Sequence, residues 1–156
     1  MKKYFLKLYQ FNAWANHRVM QSLVDQQVNH EKIISLMGHI AAAEMLWLHR
    51  VKGLPKPDVK LWSGYSHEEL SAMLNRADND WLAYVQHTES FDRELNYTNY
   101  TGDPFTNNVE SIMIHTVNHA SYHRAQVAML LRQHGFEPIN TDFITYDRII
   151  LGQLKV

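Results

Sequence analysis

The sequence predicts an all-α protein built on four long helices. Four stretches repeat apolar residues at three- and four-residue steps, which is the period of a helix that buries one face. Residues typical of helix ends separate these stretches, such as the glycine at position 53 and the prolines at positions 55 and 57. Between the third and fourth stretches the helical period breaks, so a short irregular or hairpin segment is expected there.

The bulk composition favours one domain covering residues 1–156. A chain of 156 residues with 46% hydrophobic residues is long enough to bury its own core. Lysine plus arginine number 15 against 16 acidic residues, and this balance offers no broad basic surface for nucleic acid. The chain has no cysteine, which excludes disulfides, thiolate ligands and a cysteine nucleophile. No apolar run is long enough for a signal peptide or a membrane span, so we expect a cytoplasmic protein with no membrane partner.

The first helix is predicted over residues 3–26, and Asn12 and Asn16 interrupt its apolar stripe. Asparagine is a mediocre helix former, so two such residues on the buried side are expected to hydrogen-bond across the interior. We interpret both as satisfied core amides and not as parts of a reactive site.

The second helix is predicted to begin after Asn29, which can act as an N-cap, and to reach about Lys52, with Gly53 at its C-terminal end. Glu44 lies on the apolar stripe of this helix, where an unpaired carboxylate would be costly. It must therefore have a partner, lie beside a cation, or be less buried than the stripe indicates. Glu44 is also the candidate catalytic residue, because a carboxylate beside a reactive site can accept a proton.

A long connection over residues 53–65 follows, and it exceeds what an antiparallel helix hairpin needs. The second and third helices therefore need not be antiparallel neighbours. Ser66 and Glu69 have the spacing of a capping box, which predicts the start of a third helix that reaches about residue 89.

The segment over residues 91–108 is predicted as extended chain with a turn, in the form of a small hairpin or an irregular stretch. Asn107, with Glu110 three residues later, is the predicted start of the fourth helix, which ends near His134. A short terminal helix or turn is expected within residues 141–151.

Histidine is the unusual residue of this sequence, with 10 among 156 positions. His115, His119 and His123 lie four residues apart on the fourth helix, and two imidazoles at that spacing can converge on one metal ion. The rise from His115 to His123 is ~12 Å, too long for both to bind the same ion. On a heptad pattern His119 and His123 face the interior, whereas His115 lies on the flank. The predicted ligand pair is therefore His119 and His123.

A pair of histidines needs at least one further protein ligand. The inward-facing candidates on the second helix are His39 and Glu44. One histidine from that helix would complete a three-histidine site with open coordination positions, as expected of a catalytic metal. The competing interpretation is that these are hydrogen-bonded core or groove histidines whose spacing arose by chance. The His-Glu-x-x-His motif of zinc proteases is absent, because Ala120 follows His119.

Four motifs occur in order along nearly the whole chain. They are FNAWANHR at residues 11–18, GHIAAAEMLWL at 38–48, NHASYHRAQ at 118–126 and PINTDFITY at 138–146. Together they resemble the DinB/YfiT-like superfamily of metalloenzymes. One departure is Ala125, where the family pattern usually has glycine after the His-Arg pair, so the packing or groove width at that point differs.

The resemblance implies a four-helix bundle in up-down-down-up order that is usually a homodimer. It also implies a divalent ion of the nickel or zinc type (Ni²⁺ or Zn²⁺) held by three histidines, which map onto His39, His119 and His123. Relatives in this superfamily include transferases and isomerases that use low-molecular-weight thiols such as bacillithiol or mycothiol. The resemblance therefore suggests a metal-dependent thiol S-transferase that acts on a small-molecule electrophile.

Two other functions stay open at the level of sequence. One is a metal-dependent hydrolase of a small amide or ester, with Glu44 or another carboxylate as proton acceptor. The other is a non-enzymatic stress protein that binds metal. Arg124 and Gln126 are expected either to orient the histidines of the fourth helix or to pack at an interface.

Overall fold

The structure is a computed structural model that describes residues 1–99 and 101–155, and it is mostly helical with one small sheet. The helices are α1 (Lys2–Asp25), α2 (Glu31–Lys52), α3 (His67–His87), α4 (Val109–Gln133) and α5 (Phe143–Ile150). Strands β1 (Glu94–Thr98) and β2 (Pro104–Asn108) form an antiparallel hairpin between α3 and α4. Among the described residues, no helix combines the length and the apolar character that a bilayer crossing requires.

Each of the helices α1 and α2 packs against both α3 and α4. Helices α2 and α4 run antiparallel, as two ring contacts show. His39 lies beside His123 with ring centroids 4.8 Å apart, and Trp47, two turns further along α2, lies 5.6 Å from His115, two turns back along α4. Side chains on the facing stripes of α2 and α4 therefore meet in consecutive layers.

The buried apolar residues form two clusters along the four long helices. One cluster contains side chains from the second half of α1 and the first half of α2, and it includes Leu23, Ile33 and Leu131. The other cluster contains side chains from the first half of α1 and the end of α2, and it includes Phe5 and Trp81. Burying one such side chain contributes ~1.5–3 kcal/mol. Polar residues lie between the two clusters, and they form the network described below.

The predicted capping box of α3 is confirmed. The Ser66 side chain accepts a hydrogen bond from the backbone N–H of Glu69, and the Glu69 carboxylate accepts one from the backbone N–H of Ser66 at 2.8 Å. Gly53 ends α2 as predicted, with a φ of 66° that a side chain with a Cβ rarely adopts.

The predicted N-cap of α2 is wrong by one residue. The helix begins after His30, whose side chain makes no capping hydrogen bond. The Asn29 amide donates instead to the carbonyl of Gln27 at 3.2 Å, so it satisfies the preceding turn and not the helix.

The predicted start of α4 is also wrong by one residue. Asn108 is the N-cap, and its side-chain oxygen accepts from the backbone N–H of Glu110 at 2.8 Å. Asn107 pairs with Leu95 in the hairpin. Its strand pairing leaves the capping position to the next asparagine along the chain.

The connection over residues 53–65 is held against α2. Tyr65 lies so close to Gly38 that a Cβ at that position would come within 2.7 Å of the tyrosine ring. Near the start of the connection, Nδ1 of His49 donates to the carbonyl of Pro55 at 2.6 Å. These contacts hold the two ends of the connection against α2.

Candidate metal centre

Three histidine side chains from α2 and α4 converge at one point. Nε2 of His119 lies 3.2 Å from Nε2 of His39 and 3.1 Å from Nε2 of His123. Their nitrogens all lie within 4.8 Å of one another. We call these residues the histidine cluster. In the described part of the chain, it is the one group of three or more His, Asp or Glu side chains that has metal-ligand spacing.

The helix packing explains why these three side chains meet. His119 and His123 are one turn apart on α4, so their rings lie on the same face. His39 reaches them from the antiparallel helix α2. His115 is exposed on the flank, with its ring centroid 5.5 Å from that of His119. Of the two candidates on α2, His39 is the one that joins the histidines, whereas Glu44 lies in a different cluster.

The outer nitrogens of two rings are fixed by hydrogen bonds. Nδ1 of His39 donates to the carbonyl of Leu61 at 3.1 Å, and its ring stacks on Trp62 with centroids 3.8 Å apart and planes 9° apart. Nδ1 of His123 donates to Oε1 of Gln126 at 2.7 Å. Contacts of this kind set the tautomer and the orientation of metal-binding histidines. Here they leave both Nε2 atoms as acceptors that point into the cluster.

The donor set fits a divalent cation. Nε2 of His39 and Nε2 of His123 both face Nε2 of His119, which can offer at most one hydrogen to two acceptors. One cation can satisfy the lone pairs of all three nitrogens together. Nitrogens bound at about 2.0–2.1 Å to one tetrahedral ion lie about 3.3–3.4 Å apart, close to the separations seen here.

The electrostatic setting favours the neutral form of the His119 and His39 rings. Burial, followed by the neighbouring imidazoles of His123 and His39, lowers the pKa of His119 to about 3. Burial likewise lowers the pKa of His39. Metal binding requires the unprotonated imidazole, so at neutral pH no proton has to leave these two rings before an ion binds.

A second polar cluster lies in the interior, and we call it the amide–charge network. Its members are Asn12, Asn16, Glu44, Asp78 and Arg124. The amide nitrogens of Asn12 and Asn16 donate to Oε1 of Glu44 at 2.8 and 3.2 Å. Nη1 of Arg124 donates to Oδ1 of the same two asparagines at 2.8 and 2.7 Å. Asn16 also donates to Oδ1 of Asp78 at 3.2 Å. The interpretation of both asparagines as satisfied core amides is confirmed.

Glu44 has both hydrogen-bond partners and a nearby cation, as its place on an apolar stripe requires. It is 1% exposed. Burial raises the pKa of the Glu44 carboxyl, while the hydrogen bonds from Asn12 and Asn16 and the charge of Arg124 oppose that rise. Burial, and then the Glu44 charge, also raises the pKa of Asp78 well above its usual range. The catalytic role of Glu44 stays a prediction.

The two residues expected to orient histidines have different roles. Gln126 contacts His123 directly, as expected. Arg124 instead belongs to the amide–charge network and also donates to Oγ of Ser121 at 2.9 Å. Burial lowers the pKa of Arg124 to about 10, so its guanidinium is still charged at neutral pH.

Sequence reasoning missed Trp62, the Leu61 carbonyl and Asp78. Trp62 is 58% exposed although it stacks on His39. A tryptophan within a long polar connection was the available signal. Asp78 could have been found from its spacing, since it lies one turn after Leu74 and one turn before Trp81 on the buried side of α3. A backbone carbonyl such as that of Leu61 leaves no trace in a sequence.

Comparison with known proteins identifies one family over nearly the whole chain. A model of the DinB family matches residues 1–150. The protein named DinB from Bacillus subtilis (strain 168) is 23% identical over 163 aligned residues, which cover 94% of this chain and 95% of that relative. The matched region includes the histidine cluster and the amide–charge network.

Proposed function

Because the chain belongs to the DinB family, we propose that it is a divalent-metal-dependent enzyme that acts on small molecules. His39, His119 and His123 would bind the ion, which is nickel or zinc. The observation that carries this proposal is the convergence of three Nε2 atoms, with separations of 3.1 and 3.2 Å about His119. Three protein ligands leave coordination positions for a substrate, as in catalytic zinc sites.

The surrounding residues hold the ligands and limit access to them. Leu61 and Gln126 anchor the outer nitrogens of His39 and His123, and Trp62 covers one face of the His39 ring. His39 and His123 are each 9% exposed, while His119 is more open. A small molecule would therefore approach from the side of His119.

The proposed reaction is S-transfer from a low-molecular-weight thiol of the bacillithiol type to a small electrophile. A divalent ion at the histidine cluster would lower the pKa of a coordinated thiol, so that thiolate forms near neutral pH. Overall, the thiol gives up its proton to solvent and its sulfur forms a bond to the electrophilic carbon. The leaving group departs with the bonding electron pair and takes up a proton. The absence of cysteine from the chain fits an external thiol.

A conjugation assay tests this reaction. Purified protein loaded with Ni²⁺ or Zn²⁺ is incubated with bacillithiol or other cellular thiols and an activated alkyl or aryl halide, and the products are identified by mass spectrometry. The expected conjugate requires thiol and metal together and disappears in the His119→Ala variant. Failure to conjugate any cellular thiol would refute S-transfer.

Two further assays of the same metal-loaded protein would identify the alternative functions. Cleavage of an ester or amide panel without added thiol would identify a hydrolase, with Glu44 as the residue to test as proton acceptor. Tight metal binding without any turnover would identify a non-enzymatic metal-binding protein.

The order of the helices in the bundle and the assembly of the chains are part of the same proposal. We propose a four-helix bundle of α1–α4 in up-down-down-up order, as one domain that forms a homodimer in the cytoplasm without nucleic-acid or membrane partners. The antiparallel contact of α2 with α4 supports this order, and so does a connection over residues 53–65 that is long enough for a crossover. Light scattering of the purified protein would give the mass of the dimer, whereas a monomer mass would refute the assembly.

A further inference from the structure

A cleft lies close to the histidine cluster, between α2, α4 and the hairpin. Its volume is about 240 Å³, and its walls are Trp47, Tyr97, Asn107, Ser111, Ile112 and His115. We call it the hairpin cleft. None of these lining residues is acidic, lysine or arginine, although the Arg50 guanidinium lies over the Trp47 and Tyr97 rings, 4.7 and 5.0 Å from their centroids. A charged group buried in the cleft would have no charged lining residue as its partner, so the lining favours an uncharged group.

His115 connects the hairpin cleft to the histidine cluster. Its ring centroid lies 5.5 Å from that of His119 and 5.6 Å from that of Trp47. His115 and His119 are one turn apart on the same face of α4. A ligand that fills the cleft and contacts His115 thus extends toward His119, the most open member of the cluster.

Two aromatic walls of the cleft stand nearly at right angles. The rings of Trp47 and Tyr97 are 5.1 Å apart with planes at 79°. Tyr97 is held in place by Phe105, which stacks on it at 6.0 Å, and by a hydrogen bond from its hydroxyl to Oδ1 of Asn107 at 2.8 Å. Aromatic rings gain most from stacked or edge-to-face contacts with other rings. A planar guest would contact the parts of these two rings that Phe105 and Arg50 leave uncovered.

Two polar groups in the cleft have unused hydrogen-bonding capacity. Ser111 and His115 are one turn apart on α4, and both line the cleft. Within residues 1–99 and 101–155, neither side chain hydrogen-bonds to another group of the protein. A ligand that is otherwise apolar would need one hydrogen-bonding substituent to use them.

We propose that the hairpin cleft binds a small arene that carries one hydrogen-bonding substituent, and that this arene is the aromatic part of the electrophile presented to the histidine cluster. An apolar cavity of ~150 Å³ holds benzene, so the larger hairpin cleft has room for one substituted ring or a small bicyclic ring. The role as substrate depends on the proposed function, whereas binding of the arene depends on the cleft alone.

Titration with defined probes tests the binding. Phenol and indole are titrated into metal-free and zinc-loaded protein, with cyclohexanol as the non-aromatic match to phenol. Saturable binding of both arenes is expected, with nuclear Overhauser contacts to the Trp47 ring. Cyclohexanol should bind at least ~10-fold more weakly. Equal binding of phenol and cyclohexanol, or phenol bound without contact to Trp47, would overturn the proposal.

A matched pair of variants locates the binding on α4. Ser111→Leu fills the hairpin cleft and should weaken phenol binding by at least ~10-fold. Ala125→Leu adds a similar volume on the same helix, but in a separate cavity lined by Phe11 and Arg132, and should leave binding unchanged. Wild-type affinity in Ser111→Leu, or equal losses in both variants, would contradict the assignment. The contact with Trp47 in the wild-type protein decides the matter if a variant fails to fold.

Metal content measured on the same samples distinguishes failure of the arene-binding proposal from failure of the metal-dependent function. Phenol binding by a protein that retains no metal would support the cleft and refute the metal-dependent function. A protein that holds its metal but binds no arene would refute the cleft and leave the metal site standing.

Discussion

The histidine cluster and the amide–charge network both include residues of α2 and α4, but their polar atoms are paired in different ways. Helix α2 supplies His39 to one and Glu44 to the other, and α4 supplies the adjacent residues His123 and Arg124. In the network, the guanidinium of Arg124 is a built-in cation held by two asparagine oxygens. In the histidine cluster, the converging atoms are three imidazole nitrogens that compete for one hydrogen. The network contains its own cation, whereas the cluster has room for an external one.

The difference in burial matches this difference in bonding. Asn16 and Glu44 are 0% and 1% exposed, whereas His39 and His123 are each 9% exposed. A buried network whose hydrogen bonds join four helices contributes to one well-defined packing of those helices. An open cluster at the edge of the same interior can exchange a ligand with solvent. Neighbouring residues of α4 thus differ in burial and bonding, because Arg124 belongs to the buried network and His123 to the more open cluster.

The largest effect is expected from Arg124→Met, which removes the cation of the amide–charge network. Glu44 and Asp78 would then be buried without it, and breaking a buried pair in this way costs ~3–5 kcal/mol. Urea unfolding of the metal-free protein measures the loss. Arg132→Met, an exposed change on the same helix, is the control and should alter stability by less than ~0.5 kcal/mol. Equal stabilities of the two variants would show that the network does not depend on its cation.

A smaller effect, confined to the histidine cluster, is expected from Gln126→Ala. Nδ1 of His123 loses its acceptor, and loss of such a partner typically lowers metal affinity by ~10–100-fold. Competition with a chromogenic chelator gives the zinc affinity. Gln133→Ala, an exposed change further along α4, should leave affinity unchanged. An unchanged affinity in Gln126→Ala would mean that Gln126 does not orient the ligand.

The smallest effect is expected in how the stability of the folded protein depends on pH through the network. Burial raises the pKa of Asp78 in the folded state, so its stabilising contribution is complete below the unfolded pKa of ~4 and is lost as pH rises through the folded value. Asp78→Asn removes this dependence while keeping an oxygen that can accept from Asn16. Its stability relative to wild type should therefore increase as pH rises.

Thermal melts across the pH range measure that difference, with the exposed change Asp80→Asn as control. The pKa of Glu44 is also raised by burial, so Glu44 contributes part of the pH dependence of stability in every variant. If the stability of Asp78→Asn relative to wild type fell with rising pH, the sign assigned to Asp78 would be wrong.

Features that depend on local spacing were predictable from the sequence. The helices, the capping box at Ser66 and the inward direction of His119 and His123 all follow from periodicity. The displaced start of α4 has a cause that can be named. Asn107 and Asn108 are adjacent and chemically alike, and strand pairing with Leu95 decides which of them caps α4.

Features that depend on contacts distant in sequence were not predictable. The bond from Arg124 to Asn12 joins α4 to α1, and no spacing within either helix indicates it. The contacts of Leu61 and Trp62 with His39 depend on the path of the connection over residues 53–65. The assignment of His39 rested on a family motif, because spacing alone left Glu44 as an equal candidate.

Metal analysis most directly tests whether the histidine cluster holds a divalent ion. Wild-type protein and His119→Ala are loaded with Ni²⁺ or Zn²⁺, dialysed against metal-free buffer and measured by elemental analysis. About one ion per chain is expected in the wild type, and less than ~0.1 in the variant, because two histidines alone hold such an ion weakly. Equal metal content in the two proteins would contradict the proposed ligand set.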